Sequence, residues 1–247
     1  MFKFFQKIRK QLLSQSRLSR YFIYAIGEIV LVVIGILIAI QINNWNRERK
    51  LYGEELENYQ LIVADLKRDL TLFGLYKDLY SSYLDTYFEI NNIIKGQGSL
   101  ENIFPDHIVM NAEFNPVTQK NHQSNIEKFR NGEIREQINN YFRRLSQVTQ
   151  ATTEFNKLIV QESRLFLLKE SNVFDNDKVF DNEDRTFPPF KGVATVDTVK
   201  LKEVFNHKYF LPILSQLRMS MGFYVASLER SIEENQILIQ DLEASLE

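Results

Sequence analysis

Cysteine is absent from the 247 residues, which excludes disulfides, thiolate nucleophiles, cysteine-type zinc sites and iron–sulfur clusters while leaving the redox compartment open. Glycine and proline are scarce, at 9 and 5 residues, which argues against a turn-rich all-β fold. The three histidines, His107, His122 and His207, never stand at the i, i+4 spacing with an intervening glutamate that a helical zinc site needs. Neither sign of charge dominates: 30 Lys and Arg face 32 Asp and Glu. That balance excludes a globally basic nucleic-acid binder and a strongly acidic disordered tail. What is plentiful is apolar, 44% hydrophobic and 13% aromatic, enough to bury a sizeable core in the one or two domains this length allows.

The apolar residues are unevenly distributed. From Tyr21 to Ile42 the chain has no Lys or Arg, and as a helix this stretch spans about 33 Å, enough to cross a hydrocarbon core. A cleaved signal peptide would have a shorter apolar region ending in a small-residue site, whereas this one runs on to Asn44 and Trp45. Residues 1–20 carry Lys3, Lys7, Arg9, Lys10, Arg17 and Arg20 and no acid, so the arm is expected to stay in the cytoplasm. It takes six of the 30 basic residues and leaves 24 against 32 acidic ones for the remainder. A transmembrane helix at 21–42 would thus place 43–247 outside, in the periplasm of a Gram-negative cell with the helix in the inner membrane. Tyr21 and Tyr24 at one end and Trp45 at the other suit the interfacial aromatic belts, in contact with lipid. Phe2, Phe5, Ile8 and Leu12 give the arm an amphipathic spacing that suits either an anionic leaflet or a topology signal alone.

Within the span, Ala25, Glu28, Val32, Gly35 and Ala39 recur at 3-4-3-4 spacing. Small and polar residues on one face let membrane helices approach closely and hide a polar group. An ionised Glu28 would cost at least a few kcal/mol so deep in a bilayer, so it is expected to be protonated or to face protein, as a packing hydrogen bond or as an ion-coupling site. Residues 25–39, AIGEIVLVVIGILIA, followed by QINNWN at 41–46, strongly resemble an uncharacterised single-pass family of Gram-negative bacteria, a domain of unknown function. The segment IEKFRNGEIREQINNY at 126–141 looks like that family's second recurring piece, a short loop leading into a helix. About a quarter of the chain carries the resemblance, which implies membrane anchoring and a helical outer domain and supplies no activity.

Beyond the span three long helical patterns follow. Tyr52, Leu56, Tyr59, Val63, Leu66, Leu70, Phe73, Tyr80, Leu84 and Tyr87 step 4-3-4-3, interrupted by Lys77, and continue from the membrane helix. Between about Glu133 and Glu170, Ile134, Ile138, Tyr141, Leu145, Val148, Thr152, Phe155, Ile159, Glu162 and Phe166 hold the same repeat. After Pro212 come Leu214, Leu217, Met221, Tyr224, Leu228, Asn235, Leu238 and Leu242, with Pro212 expected in the first turn. The fold class expected is all-α: one N-terminal transmembrane helix, then an elongated antiparallel helical bundle of about three long helices plus short ones. Lys77, Asn91, Glu162 and Asn235 are expected to fix register or meet other chains. Residues 96–131 read as a long excursion with one short helix, 171–198 as irregular, and 199–210 as a short helix.

Chemical motifs are weak. Asp175, Asp177, Asp181, Glu183 and Asp184 lack the glycine and glutamate of an EF-hand and have Val179 where an oxygen ligand belongs, so a solvated acidic loop is expected. His107 and His122 are expected as surface or loop residues, with no metal or cofactor. No phosphate-cradling Gly-rich loop or Gly-x-Ser-x-Gly elbow occurs. Tyr76, Tyr80, Tyr83 and Tyr87, at 4-3-4 spacing, form a stripe suited to an interaction surface or, equally simply, to core packing. Met219 and Met221 read as core. No catalytic residues are assigned; the chain reads as a non-enzymatic scaffold or accessory protein whose partner is another protein or a second copy and not nucleic acid. The alternatives are a ligand-sensing periplasmic domain signalling through a partner subunit, and an ion-coupled subunit of a larger complex acting through Glu28.

Overall fold

The computed structural model describes residues 18–175, 177 and 195–246, with side chains from Phe22 onward except that of Ile23. The basic arm up to Arg17, the Tyr21 side chain, and Asp181, Glu183 and Asp184 lie outside the described residues. The described chain is helical, with a single isolated pairing of extended residues, Phe174 with Val196. It divides into two compact units, 1–57 and 58–247, and the first helix, α1 (Leu18–Ile94), contributes to both.

In the first unit no described apolar residue of α1 is fully buried; Leu31 and Ile38, for example, stay exposed. From Tyr59 onward, in the second unit, the pattern changes. Tyr59, Val63, Leu66, Phe73, Tyr80 and Tyr87 are buried as the repeat requires, and Ile62, Tyr83 and Ile90 are buried beside them. The buried stripe is therefore wider than a two-position seam, as it is on a helix covered from two sides. Tyr52, the first residue of the expected seam, is exposed. The helix ends where Gly96 takes φ 76°, a left-handed position that lets Gln97 N–H reach back to the Asn92 carbonyl at 2.9 Å.

Residues 96–131 form the expected long irregular stretch with one short helix, and much of it is buried. Short 3-10 turns at Leu100–Asn102, Pro105–Ile108 and Ile126–Lys128 and a helix α2 (Val117–His122) lay Ile103, Ile108, Ala112, Phe114, Ile126 and Phe129 into the core. Their apolar residues lack any regular period, so the sequence pattern concealed them.

Helix α3 (Gly132–Leu158) is capped by Asn131, whose side chain accepts from Glu133 and Ile134 N–H. It runs into a π-helical turn at Ile159–Ser163 and then α4 (Arg164–Glu170). The expected seam holds as far as Ile159 and then fails: Glu162 is exposed and Phe166 half-buried, while Ser163 and Leu167 are buried instead. A π turn accommodates one extra residue, and every later inward position moves by one.

After the short α5 (Thr198–Glu203), capped by Asp197, comes α6 (Phe210–Ala244) with Pro212 in its first turn. All the expected seam residues of α6 are buried, Asn235 included. Met219 is not core: it is 74% exposed, whereas Met221 is fully buried. Lys67 pairs with Glu243 at 2.7 Å and Lys77 with Glu229 at 3.3 Å. Arg144 meets Glu234 at 3.0 Å and Gln137 meets Asp241 at 3.0 Å. Partners in α6 descend as positions in α1 and α3 ascend, so α6 runs opposite to both along these stretches.

Candidate functional site

Two groups of residues are candidates for function: the apolar first part of α1, and the buried polar and aromatic groups of the second unit. The first part of α1 has an 18-residue window of mean hydropathy 2.6, none of it buried. Among the described helices it is long and apolar enough to cross a membrane, and a signal sequence has the same features. Glu28, Val32, Gly35 and Ala39 are all exposed and Ala25 is half-buried. At Gly35 nothing lies within 4 Å of where a Cβ would be. Tyr24 and Trp45 are exposed, 21 residues or about 31 Å apart along the helix axis.

The tyrosine stripe belongs to the core and is not an exposed face. Tyr80, Tyr83 and Tyr87 are 2%, 1% and 0% exposed, and Tyr76 is half-buried. Tyr80 stacks on Tyr76 at 5.9 Å and meets the rings of Tyr83 and Tyr224 edge-on at 5.3 and 5.1 Å, contacts worth about 0.5–1.5 kcal/mol each beyond burial. The hydroxyls bind the 97–131 segment. Tyr80 accepts from Glu113 N–H at 2.6 Å, Tyr224 donates to the Glu113 carbonyl at 2.9 Å, and Tyr87 donates to the His107 carbonyl at 2.8 Å. Burial pushes the Tyr80 hydroxyl up to about 12 and raises those of Tyr83, Tyr87 and Tyr224 as well, so all four stay protonated at neutral pH.

His107 and His122 are buried rather than superficial. His107 lies flat on Tyr83 with ring centroids 4.1 Å apart and shares a hydrogen bond of 2.8 Å with Thr86. Desolvation, opposed by the Ser82 carbonyl and the Asp106 charge, brings its pKa down to about 4, so it is neutral at pH 7. His122 instead pairs with Asp65 at 2.9 Å. Burial acts to raise the Asp65 pKa, but hydrogen bonds from Asn121 and His122 and the charges of His122 and Arg68 leave it lowered.

No local pattern pointed to the polar groups that fasten these segments. Asp69 is fully buried, and its two oxygens accept from Val117 N–H at 2.7 Å and Thr118 N–H at 2.9 Å. It thereby caps α2, whose own N-cap residue, Pro116, has no side chain that can do so. Asp106 accepts from the Thr195 and Val196 N–H groups at 2.8 Å and from the Thr195 hydroxyl at 2.7 Å. The Asn156 amide both donates to and accepts from Ala112, at 2.8 Å each way. A carboxylate or amide spent on main-chain N–H groups holds the fold and is not poised for proton transfer.

Comparison with known proteins adds one result. The sequence profile of a family described as "Family of unknown function (DUF6090)" matches residues 28–182, more than half of the chain. The chain belongs to this family. No curated protein matches it, and no solved structure does. The DUF6090 match opens at Glu28 and so takes in Val32, Gly35, Ala39 and Trp45, the tyrosine stripe, and the segment 126–141. It ends before α6.

The second unit also carries surface depressions. A groove of about 350 Å³ lies between the π turn with α4 and the start of α6, and Glu162, Phe166, Lys169, Tyr209 and Ile213 are among its walls. A smaller one of about 160 Å³, between α3 and α6, has Gln137, Glu234 and Asp241 at its edge. Among the described residues no three His, Asp or Glu side chains are grouped to hold a metal ion. Asp175 is half-buried and its N–H bonds the Thr195 carbonyl at 2.8 Å; Asp177 is exposed.

Proposed function

We propose that this member of the DUF6090 family is a single-pass, non-enzymatic scaffold or accessory protein of a bacterial inner membrane. Its N-terminus would be cytoplasmic, and its second unit, an antiparallel bundle, would present a surface to other proteins in the periplasm. The observation that carries this reading is the unburied run from Ala25 to Ile42: exposing that much apolar surface to water would cost about 0.8 kcal/mol per CH2 group, and lipid removes the cost. The charge asymmetry supports the orientation, with six cations and no acid in the first 20 residues. The non-enzymatic part is supported by the use made of Asp69, Asp106, Asn156 and Asn235, each tied to main-chain groups.

Cross-linking in native membranes followed by purification tests the reading. Recovery in defined complexes supports it, and recovery of uncomplexed monomer alone contradicts it. The 350 Å³ groove beside the π turn favours a second reading, a ligand-sensing domain that signals through a partner subunit. Thermal-shift screening of the full chain in detergent separates the two, since a specific metabolite shift supports sensing.

A further inference from the structure

We propose that the heptad face of α1 between Glu28 and Leu56, exposed as far as Tyr52, pairs in parallel with the same face of a second copy of this chain. In the second unit Tyr59, Val63, Leu66, Leu70 and Phe73 form a seam at 4-3-4-3 spacing that is buried except at the half-buried Leu70. Followed toward the N-terminus along the same unbroken helix, the same spacing gives Leu56, Tyr52, Arg49, Trp45, Ile42 and Ile38. Further turns give Gly35, Leu31 and Glu28. Residues 29–40 are apolar at nearly every position, so the spacing singles out a face only beyond them, where Trp45, Tyr52 and Leu56 hold the seam positions in a stretch otherwise rich in Asn, Glu, Arg and Lys.

Above Tyr59 the seam is covered by the chain itself; below Leu56 it is bare. Tyr52 is 53% exposed and Trp45 63%. Lipid can cover the apolar residues as far as the interfacial Trp45, but it does not reach Tyr52, about 10 Å further along the axis. A seam of this phase needs a helix of matching phase, and a second copy held in the same bilayer with the same orientation brings one in register. This step rests on the membrane-anchor reading.

The polar seam positions suit self-pairing. In a parallel pair each seam residue meets its own counterpart. Gly35 against Gly35, with open space where a side chain would be, allows close approach at mid-span. Two Glu28 carboxyls can share a proton and hide each other from lipid. Arg49, the one cation on this part of the seam, falls beside Glu48 of the other copy.

Because the chain has no cysteine, single cysteines report the pairing without background. The full-length protein would carry Trp45→Cys, Tyr52→Cys or Leu56→Cys on the seam, or Arg47→Cys, Lys50→Cys or Glu54→Cys on the outer face, and be oxidised in native membranes. The expected result is a disulfide-linked species of twice the chain mass, several-fold more abundant at seam positions than at outer ones, and reduced several-fold when Gly35→Leu is added to Tyr52→Cys. Equal yields around the helix, adducts to a different protein, or no dimer would overturn the pairing. Carbonate washing of the same membranes keeps the two ideas apart: a chain that stays in the pellet but shows no periodicity overturns the pairing alone, and a chain that washes off overturns the anchor beneath it.

Discussion

Asn235 on α6 donates a hydrogen bond of 2.7 Å to the Tyr141 hydroxyl on α3 and one of 3.1 Å to the Leu66 carbonyl on α1. One fully buried amide thus joins the three long helices at a single level, and any slip of one helix against another breaks it. Polar groups at seam positions commonly fix register in this way, at some cost in stability.

Replacing Asn235 by Leu should destabilise the protein by about 1–3 kcal/mol, because the buried Tyr141 hydroxyl loses its partner. Adding Tyr141→Phe should recover much of that loss. Denaturant unfolding of the full chain in detergent micelles checks both, and strictly additive effects would argue against the coupling.

Asp69→Ala should cost about 2 kcal/mol or more, since it strips the cap from α2 and leaves the N–H groups of half-buried Val117 and buried Thr118 unbonded. Asp69→Asn keeps one oxygen acceptor and should cost less. Hydrogen exchange should quicken first at Val117 and Thr118, and unchanged protection there would contradict the assignment.

The π turn behaves as a one-residue insertion. Deleting Gln161 should convert it to a regular helix and bring Ser163 and Leu167 onto the 3-4 spacing that Phe155 and Ile159 begin, with little change in Tm. Deleting Gln150, in the regular part of α3, should throw every later seam residue off the core and cost several kcal/mol. Equal losses from the two deletions would contradict this account.

His107 makes stability depend on pH. Its folded pKa of about 4 lies below the ordinary 6.5, so between those values the unfolded chain binds the proton more readily. Stability is complete above about pH 6.5, falls as the pH drops, and levels off below about 4, a total on the order of 3 kcal/mol. The lowered Asp65 pKa works in the same direction at more acid pH, its contribution lost as the pH falls through the folded value. His107→Phe should flatten the slope between pH 6 and 4.5 in unfolding titrations, and a slope identical to the parent's would count against it.

The helical class, the long first helix and the seams of α3 and α6 are legible because 3-4 periodicity is a property of the sequence itself. The shift at Ser163 is not, since a π turn has no compositional mark and Glu162 fits the α period as well as any residue. The 97–131 segment reads as an excursion for a related reason: irregular backbone buries residues such as Ile108 and Phe114 without repeating them. Asp69, Asp106 and Asn156 carry no local signal because each acts on main-chain groups 44 to 90 residues away, a distance no local pattern encodes. The tyrosines are visible as a stripe, but only the structure gives the covering layer that places Tyr80, Tyr83 and Tyr87 inside.

Everything proposed for this protein requires the apolar start of α1 to cross a bilayer and leave the second unit on the far side. Met219→Cys, at an exposed position on α6, probed with a membrane-impermeant maleimide on intact spheroplasts, tests this against Ser14→Cys in the basic arm. The expected result is labelling at position 219 before lysis and at position 14 only after it. Labelling at position 219 only after lysis would contradict it.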